Sequence, residues 1–247
     1  MTTPAVTHEA HHAGAFRLLL LSGGAANGLV TALAERFKAD TGMSLAGSFG
    51  AVGAMRDQLL AGEPADLLIL TRSLIGELEG SGYVVPGSAA DLGVVRTAVA
   101  VRTADLKPDV ATPAALMTSL LAADEIYCPD PELATAGIHF AKVLGQLGIA
   151  SAVAARLRPH PNGQMAMRAM AQSTATRVVG CTQVTEMLST PGVARVAALP
   201  KAFELATVYT AAVAARAMAP DLARRLARLL TQAETLDVRT RAGFETA

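Results

Sequence analysis

Tryptophan is absent from this chain, and aromatic residues make up only 4% of it. A site that stacks sugars or bases needs flat side chains, so carbohydrate and single-stranded nucleic acid are poor ligand candidates. Neither sign of charge is in excess, since 21 Lys and Arg balance 21 Asp and Glu. Without a basic surplus there is no electrostatic grip on nucleic acid or on an anionic membrane surface, and neither is expected as a partner. Long hydrophobic runs are also missing. None approaches the roughly 18 residues of a membrane span, so no membrane insertion is expected. The only two cysteines, Cys128 and Cys181, each fall near the end of an expected strand. Two buried free thiols fit that placement better than a disulfide.

A secretory leader is not visible either. The first fifteen residues, MTTPAVTHEAHHAGA, are polar and have no basic opening. The apolar stretch at 18–21 is too short for an h-region of about 7–15 residues. The expected location is therefore the cytoplasm, or the periplasm if a leader has been removed, with a transporter as partner only in the exported case. Residues 1–15 read as a disordered tail. Its His8, His11 and His12 have no framework to position them, and no metal site is assigned.

What is present is an apolar chain (51% hydrophobic) of 247 residues, long enough to bury a large core. Phe16 to Leu21 reads as a strand, Ser22 to Ala26 as a tight turn, and Asn27 as the N-cap of a helix carrying Leu29, Leu33 and Phe37 and stopped by Gly42. Such a unit points the free N–H groups of a helix start at the end of a strand, where an anion can bind without a charged side chain. The pattern recurs. Met43–Phe49, Asp66–Leu70, Val94–Val101, Glu125–Cys128, Arg177–Cys181, Val193–Leu199 and Ala206–Val213 read as strands, and most are followed by amphipathic helices. Arg156–Pro161 reads as irregular, and Pro220–Thr235 as one final helix. Continuous apolar strands alternating with helices indicate an α/β fold whose parallel sheets are covered on both faces.

Small or hydroxyl residues occupy the strand-to-helix junctions throughout: Gly24-Ala25-Ala26-Asn27, Gly50-Ala51-Val52, Thr71-Arg72, Thr135-Ala136, Asn162 and Thr182-Gln183. In open parallel sheets these junctions share the carboxyl edge, where ligands bind. The glycines at 23, 24 and 28 do not spell a dinucleotide fingerprint, no Gly-Lys-Ser/Thr follows, and Ser22 has no G-x-S-x-G frame. Nucleotide binding and serine hydrolysis are set aside, and no cofactor is implied. His139, His160 and Glu132 are the nominees for proton transfer, and Arg72 and Arg96 for pairing with an anionic ligand.

Three stretches carry a family resemblance: Ala34–Phe37 with Thr41-Gly42, Gly47–Ala51, and the long run Leu60-Ala-Gly-Glu-Pro-Ala-Asp-Leu67-Leu-Ile-Leu70. Asp130-Pro131-Glu132, Ala136-Gly137-Ile138 and Val179–Glu186 continue it. Together they resemble the molybdate-binding branch of the periplasmic solute-binding proteins. The resemblance implies a two-lobed type II fold, each lobe a mainly parallel sheet flanked by helices, with two hinge strands between. Lobe 1 would comprise 16–94 and 206–247, and lobe 2 would comprise 95–205. A small anionic ligand would sit between the lobes, facing Ala25, Ala51, Ala136 and Gly180, and the hinge would close on it. Molybdate binders place serines at the positions of Ala25 and Ala51 and a tyrosine near Gly180, and all three hydroxyls are missing here. That departure argues for an organic (poly)carboxylate over molybdate. The alternative on the same scaffold is a cofactor-free isomerase of a small polycarboxylate, similar to aconitate isomerase, moving a proton beside a carboxylate.

Overall fold

Leu18, Leu20 and Leu21 are all buried in the first strand, β1 (Arg17–Gly23), and the chain then turns through a tight 3-10 turn, Gly24–Ala26, into α1 (Asn27–Thr41). The computed structural model describes residues 17–246, so the expected tail with His8, His11 and His12, as well as Phe16, lies outside them. Asn27 is not the N-cap it was expected to be. The inserted 3-10 turn moves the cap to Ala26 and leaves the Asn27 side chain free for another use. Gly42 ends α1 in the left-handed conformation (φ 72°), as its place after the last apolar residue predicts.

Two further strand–helix units follow: β2 (Ser44–Gly50) with α2 (Val52–Leu60), and β3 (Leu67–Thr71) with α3 (Arg72–Gly80). β1 lies parallel to both β2 and β3. Every residue of β3 is buried, as a central strand covered on both faces requires. The long strand β4 (Ala90–Arg102) then leaves this sheet for a second one. The second sheet is built from β5 (Glu125–Pro129), β6 (Leu157–His160), β7 (Val178–Gln183) and β8 (Val193–Ala198). Its helices are α4 (Pro113–Ala122), α5 (Thr135–Gln146), the short α6 (Ala150–Val153), α7 (Gly163–Gln172) and α8 (Val184–Leu188). The chain returns through β9 (Ala206–Val213) to α9 (Pro220–Thr231) and α10 (Leu236–Arg241).

The strand order is β2-β1-β3-β9-β4-β7-β5-β6, with β8 on β4 as well. Over Ala90–Arg96 β4 pairs with β9, and from Thr97 onward it pairs with β7 and β8. One strand therefore belongs to both sheets and changes partners between Arg96 and Thr97. The second crossing is not a regular strand but residues 199–205, which contain the 3-10 turn Lys201–Phe203 and bond to Thr97 at both ends. The sheets are mixed, because β9 and β4 run antiparallel to their neighbours. Each half has its own core. Leu18, Leu29, Phe37, Ile69, Leu226 and Phe244 pack together in the first, while Val99, Leu116, Phe140, Val143 and Cys181 pack in the second.

Two other expectations change. Arg156–Pro161 is not irregular: Leu157–His160 forms β6, parallel to β5, although nothing in Leu-Arg-Pro-His marks a strand. The expected final helix breaks at Gln232 into a 3-10 turn and α10. Among the described residues no single helix is long and apolar enough to cross a membrane.

Both thiols are free and buried, as their positions suggested. Burial pushes the Cys128 thiol up to about 11 and raises that of Cys181 as well. At neutral pH the folded protein is expected to react with a disulfide reagent only as fast as it opens. Two equivalents should be released at once in denaturant. Fast reaction of either thiol in native buffer would contradict this packing.

Candidate ligand-binding site

The ends of β1, β2, β5 and β7 meet where the two sheets face each other, and the helix starts that follow them converge there. The 3-10 turn before α1 and the starts of α2 and α5 have no side-chain cap, because Gly23, Ala26, Ala51 and Ala134 carry no hydrogen-bonding side chain. Apart from Asn27 N, which closes the 3-10 turn, and Gly53 N, which bonds to the Leu133 carbonyl, their first N–H groups are left for whatever occupies the gap. At α7, by contrast, Asn162 caps the helix, its side chain accepting from Met165 N at 2.9 Å. The gap is a small cavity of about 20 Å³, lined from lobe 1 by Gly24, Ala25, Gly50, Ala51, Val52 and Tyr209. From lobe 2 it is lined by Pro129, Ala134, Thr135, Ala136, Asn162, Gly163, Gln183 and Glu186. A space that size holds about one water molecule.

Three hydrogen bonds close the lobes over it. Asn27 Nδ2 donates to Gln164 Oε1 (3.0 Å), the Tyr209 hydroxyl donates to Gln183 Oε1 (2.6 Å), and Gly53 N donates to the Leu133 carbonyl (3.2 Å). Gln183 itself is only 2% exposed, and its Nε2 donor has no partner among the described residues. Glu186 is also buried. Its carboxylate accepts from the Thr182 hydroxyl at 2.5 Å. Burial raises its proton affinity, opposed by Thr182 and, more loosely, by the N–H groups of Gln183, Gly163 and Gln164. The Tyr209 phenol is shifted upward by burial and by the charge of Glu186.

Of the residues singled out from the sequence, Gly24, Ala25, Gly50, Ala51, Val52, Thr135, Ala136, Asn162 and Gln183 line this cavity. Thr182 stands behind it on Glu186, Asn27 bridges the lobes, and Ala26 is packed in the lobe 1 core. Thr71, Arg72, Glu132 and His139 line a wider space of about 550 Å³ beside the hinge, together with Lys142. Arg72 is already held by Asp91, and that pairing lowers the proton affinity of the Asp91 carboxyl. Arg96 is gripped by Glu204 and Glu245 and borders neither space. Both arginines, expected to pair with an anionic ligand, pair with carboxylates of this chain. His139 Nε2 lies 2.8 Å from the Phe203 carbonyl at the return crossing. His160 stacks on Tyr127 (ring centroids 5.9 Å apart) away from both spaces, and burial lowers its proton affinity. Gly180 does not face the ligand side: a Cβ there would lie 2.5 Å from Met167 and 2.8 Å from Met170, inside the lobe 2 core.

Glu186 and Tyr209 were not anticipated. Glu186 sits four residues after Thr182 in a stretch of small, apolar and hydroxyl residues, and a lone acid in such a stretch is the signal that marks it. Tyr209 was hidden inside an otherwise ordinary strand, and only the pairing of β9 with β3 and β4 brings its hydroxyl to the cavity.

Residues 18–245 match the family model described as bacterial extracellular solute-binding protein. The periplasmic molybdate-binding protein of Azotobacter vinelandii superposes with a TM-score of 0.78 at 18% identity, over 94% of this chain and 100% of that one. A sulfate-binding protein of Mycobacterium tuberculosis gives 0.74 at 17% identity, over 94% and 87%. An aconitate isomerase of a Pseudomonas species is 29% identical over 222 residues, covering 86% of this chain and 81% of that protein. The chain belongs to the bacterial extracellular solute-binding protein family and has the periplasmic binding protein type II fold, in its molybdate-binding-like form.

Proposed function

We propose that this protein binds a small organic carboxylate between its lobes, bending at β4 to open and close around it. The observation that carries the proposal is the Gln183 Nε2 donor, buried and unpartnered beside uncapped helix starts. A buried donor without an acceptor is unfavourable by about 1–3 kcal/mol, and an entering carboxylate oxygen removes that penalty. Ala25 and Ala51 bring no hydroxyl to the cavity. A dehydrated tetrahedral dianion would therefore find few side-chain donors beyond Gln183 and Thr135, beside the carboxyl of Glu186. A planar carboxylate asks for fewer donors, and the remainder of an organic ligand suits the apolar methyl groups that the alanines present.

A second reading is supported by a separate observation. Glu186 is a buried carboxyl lining the cavity with no cationic partner among the described residues, and the relative at 29% identity is an aconitate isomerase. On that reading the protein moves a proton between carbons of an unsaturated polycarboxylate, with no cofactor.

Thermal unfolding with cis-aconitate, trans-aconitate, molybdate and sulfate tests the first reading, and ultraviolet absorbance of the same aconitate mixtures tests the second. A carboxylate present at 100 times its Kd should add about 2.7 kcal/mol of stability. Stronger stabilisation by molybdate or sulfate would overturn the proposal. Absorbance change proportional to enzyme concentration would establish isomerisation.

Gln183→Glu is the sharpest variant here. It keeps the acceptor for Tyr209 but replaces the free donor with a carboxylate oxygen, so carboxylate affinity should fall about 100-fold, or ~2.7 kcal/mol. Titration calorimetry would show it, and unchanged affinity would place the ligand elsewhere.

A further inference from the structure

We propose that Glu186 is the proton carrier of the interlobe cavity: when a carboxylate enters, Glu186 takes up one proton from solvent and meets the ligand as a neutral acid. The inference rests on the carboxylate-binding reading. It starts from where the side chain lies. A Cβ built on Gly24 of lobe 1 would be 2.7 Å from one Glu186 oxygen, and a Cβ on Gly163 of lobe 2 would be 1.9 Å from the other. The carboxyl is therefore wedged between the turn that opens α1 and the start of α7. That is where an incoming anion would find its donors. Gln183 Nε2, unpartnered in the same cavity, is an independent sign that a ligand belongs there.

Among the described residues no cation offsets Glu186. On the elements packed against it, Arg168 of α7, Arg195 of β8 and the charged residues of α1 are exposed. Arg102 of β4 is paired with Asp105, Arg96 with Glu204 and Glu245, and Asp91 with Arg72. Cys181 of β7 is packed in the lobe 2 core. Tyr209 of β9 is the remaining titratable neighbour, and burial and the Glu186 charge make it hold its proton more tightly. Burial already favours the neutral form of Glu186. A second carboxylate in the same closed space adds like charge, and two carboxylates sharing a site keep one proton between them. The step is balanced: one proton passes from solvent to a Glu186 oxygen on binding and returns on release, and no bond to carbon changes. Neutral Glu186 then offers an O–H to the ligand beside the N–H of Gln183.

The test is calorimetric titration of trans-aconitate into the full chain, repeated in buffers of different ionisation heat and across a pH series. Uptake should approach one proton per ligand above the pH at which free Glu186 ionises. There the affinity should fall about tenfold per pH unit. Glu186→Gln should bind with no uptake and with pH-independent affinity. Equal uptake in the variant, or saturable binding by the parent without uptake, overturns the role of Glu186. A second measurement needs no variant. The infrared carbonyl band of a protonated glutamic acid should appear when trans-aconitate is added to the parent protein, and its absence during saturable binding counts against the proposal. If trans-aconitate and related polycarboxylates give neither heat nor thermal stabilisation, the carboxylate-binding reading falls and this inference falls with it.

Discussion

Replacing Gly163 with alanine is expected to destabilise the protein by about 3 kcal/mol, roughly 6–12 °C in Tm for a chain of this length. The added methyl would sit 1.9 Å from a Glu186 oxygen and 2.0 Å from the Thr182 hydroxyl, far inside van der Waals contact. Glu186 cannot simply swing away, because Gly24 confines its other oxygen. The start of α7 must move instead, and with it Ala166, Met167 and Met170, which are fully buried on the inner face of that helix. Ligand-induced stabilisation should disappear as well, since the same movement opens the cavity wall. Gly145→Ala is the control. It lies inside α5 with nothing within 4 Å of the added carbon, and should stabilise by about 0.5–1 kcal/mol through helix propensity. Adding Glu186→Ala to Gly163→Ala should recover part of the loss. A double-mutant cycle by urea unfolding measures that coupling, and simple additivity would show the steric argument to be wrong.

Asp66→Ala is expected to be as damaging, about 3–5 kcal/mol, for a different reason. The residue is 3% exposed and its carboxylate accepts three backbone N–H groups: Leu19 at 2.9 Å on one oxygen, Met218 at 2.7 Å and Ala219 at 2.9 Å on the other. It joins the first sheet to the entrance of α9, whose own cap position, Ala219, has no side chain for the task. Truncation leaves three donors short of an acceptor, Leu19 N at the edge of the core and Met218 N and Ala219 N in the half-buried turn that enters α9. Asp66→Asn keeps one good acceptor and should lose less. Hydrogen exchange should speed up first at Leu19, Met218 and Ala219. A variant that unfolds at the parent's urea midpoint would mean that water replaces the carboxylate without penalty.

The strand–turn–helix units of both lobes were legible because their signals are local: apolar runs of strand length, Gly42 after the last apolar residue of α1, Thr71 in place to cap α3. The small-residue junctions were legible for the same reason, and most of them line the cavity. What the sequence hid depends on partners far along the chain. Arg96 looked free because Glu204 and Glu245 are more than 100 positions away, and β6 exists only because β5 offers it an edge. The Asp66 carboxylate, read only as part of an apolar strand motif, reaches 152 positions to Met218. For Glu186 the sequence offers only a lone acid among small and apolar residues, and its place between two glycines of opposite lobes emerges only in the fold.

The three lobe-to-lobe hydrogen bonds have a consequence for selectivity. A solute can reach the cavity only after Asn27, Tyr209 and Gly53 let go of their partners, so the empty protein competes with its own cargo. Measured affinity is then the intrinsic grip diminished by the work of unlatching. Evolution can retune it for a new solute by strengthening or slackening a clasp, such as Asn27 with Gln164, that need never touch the molecule being carried.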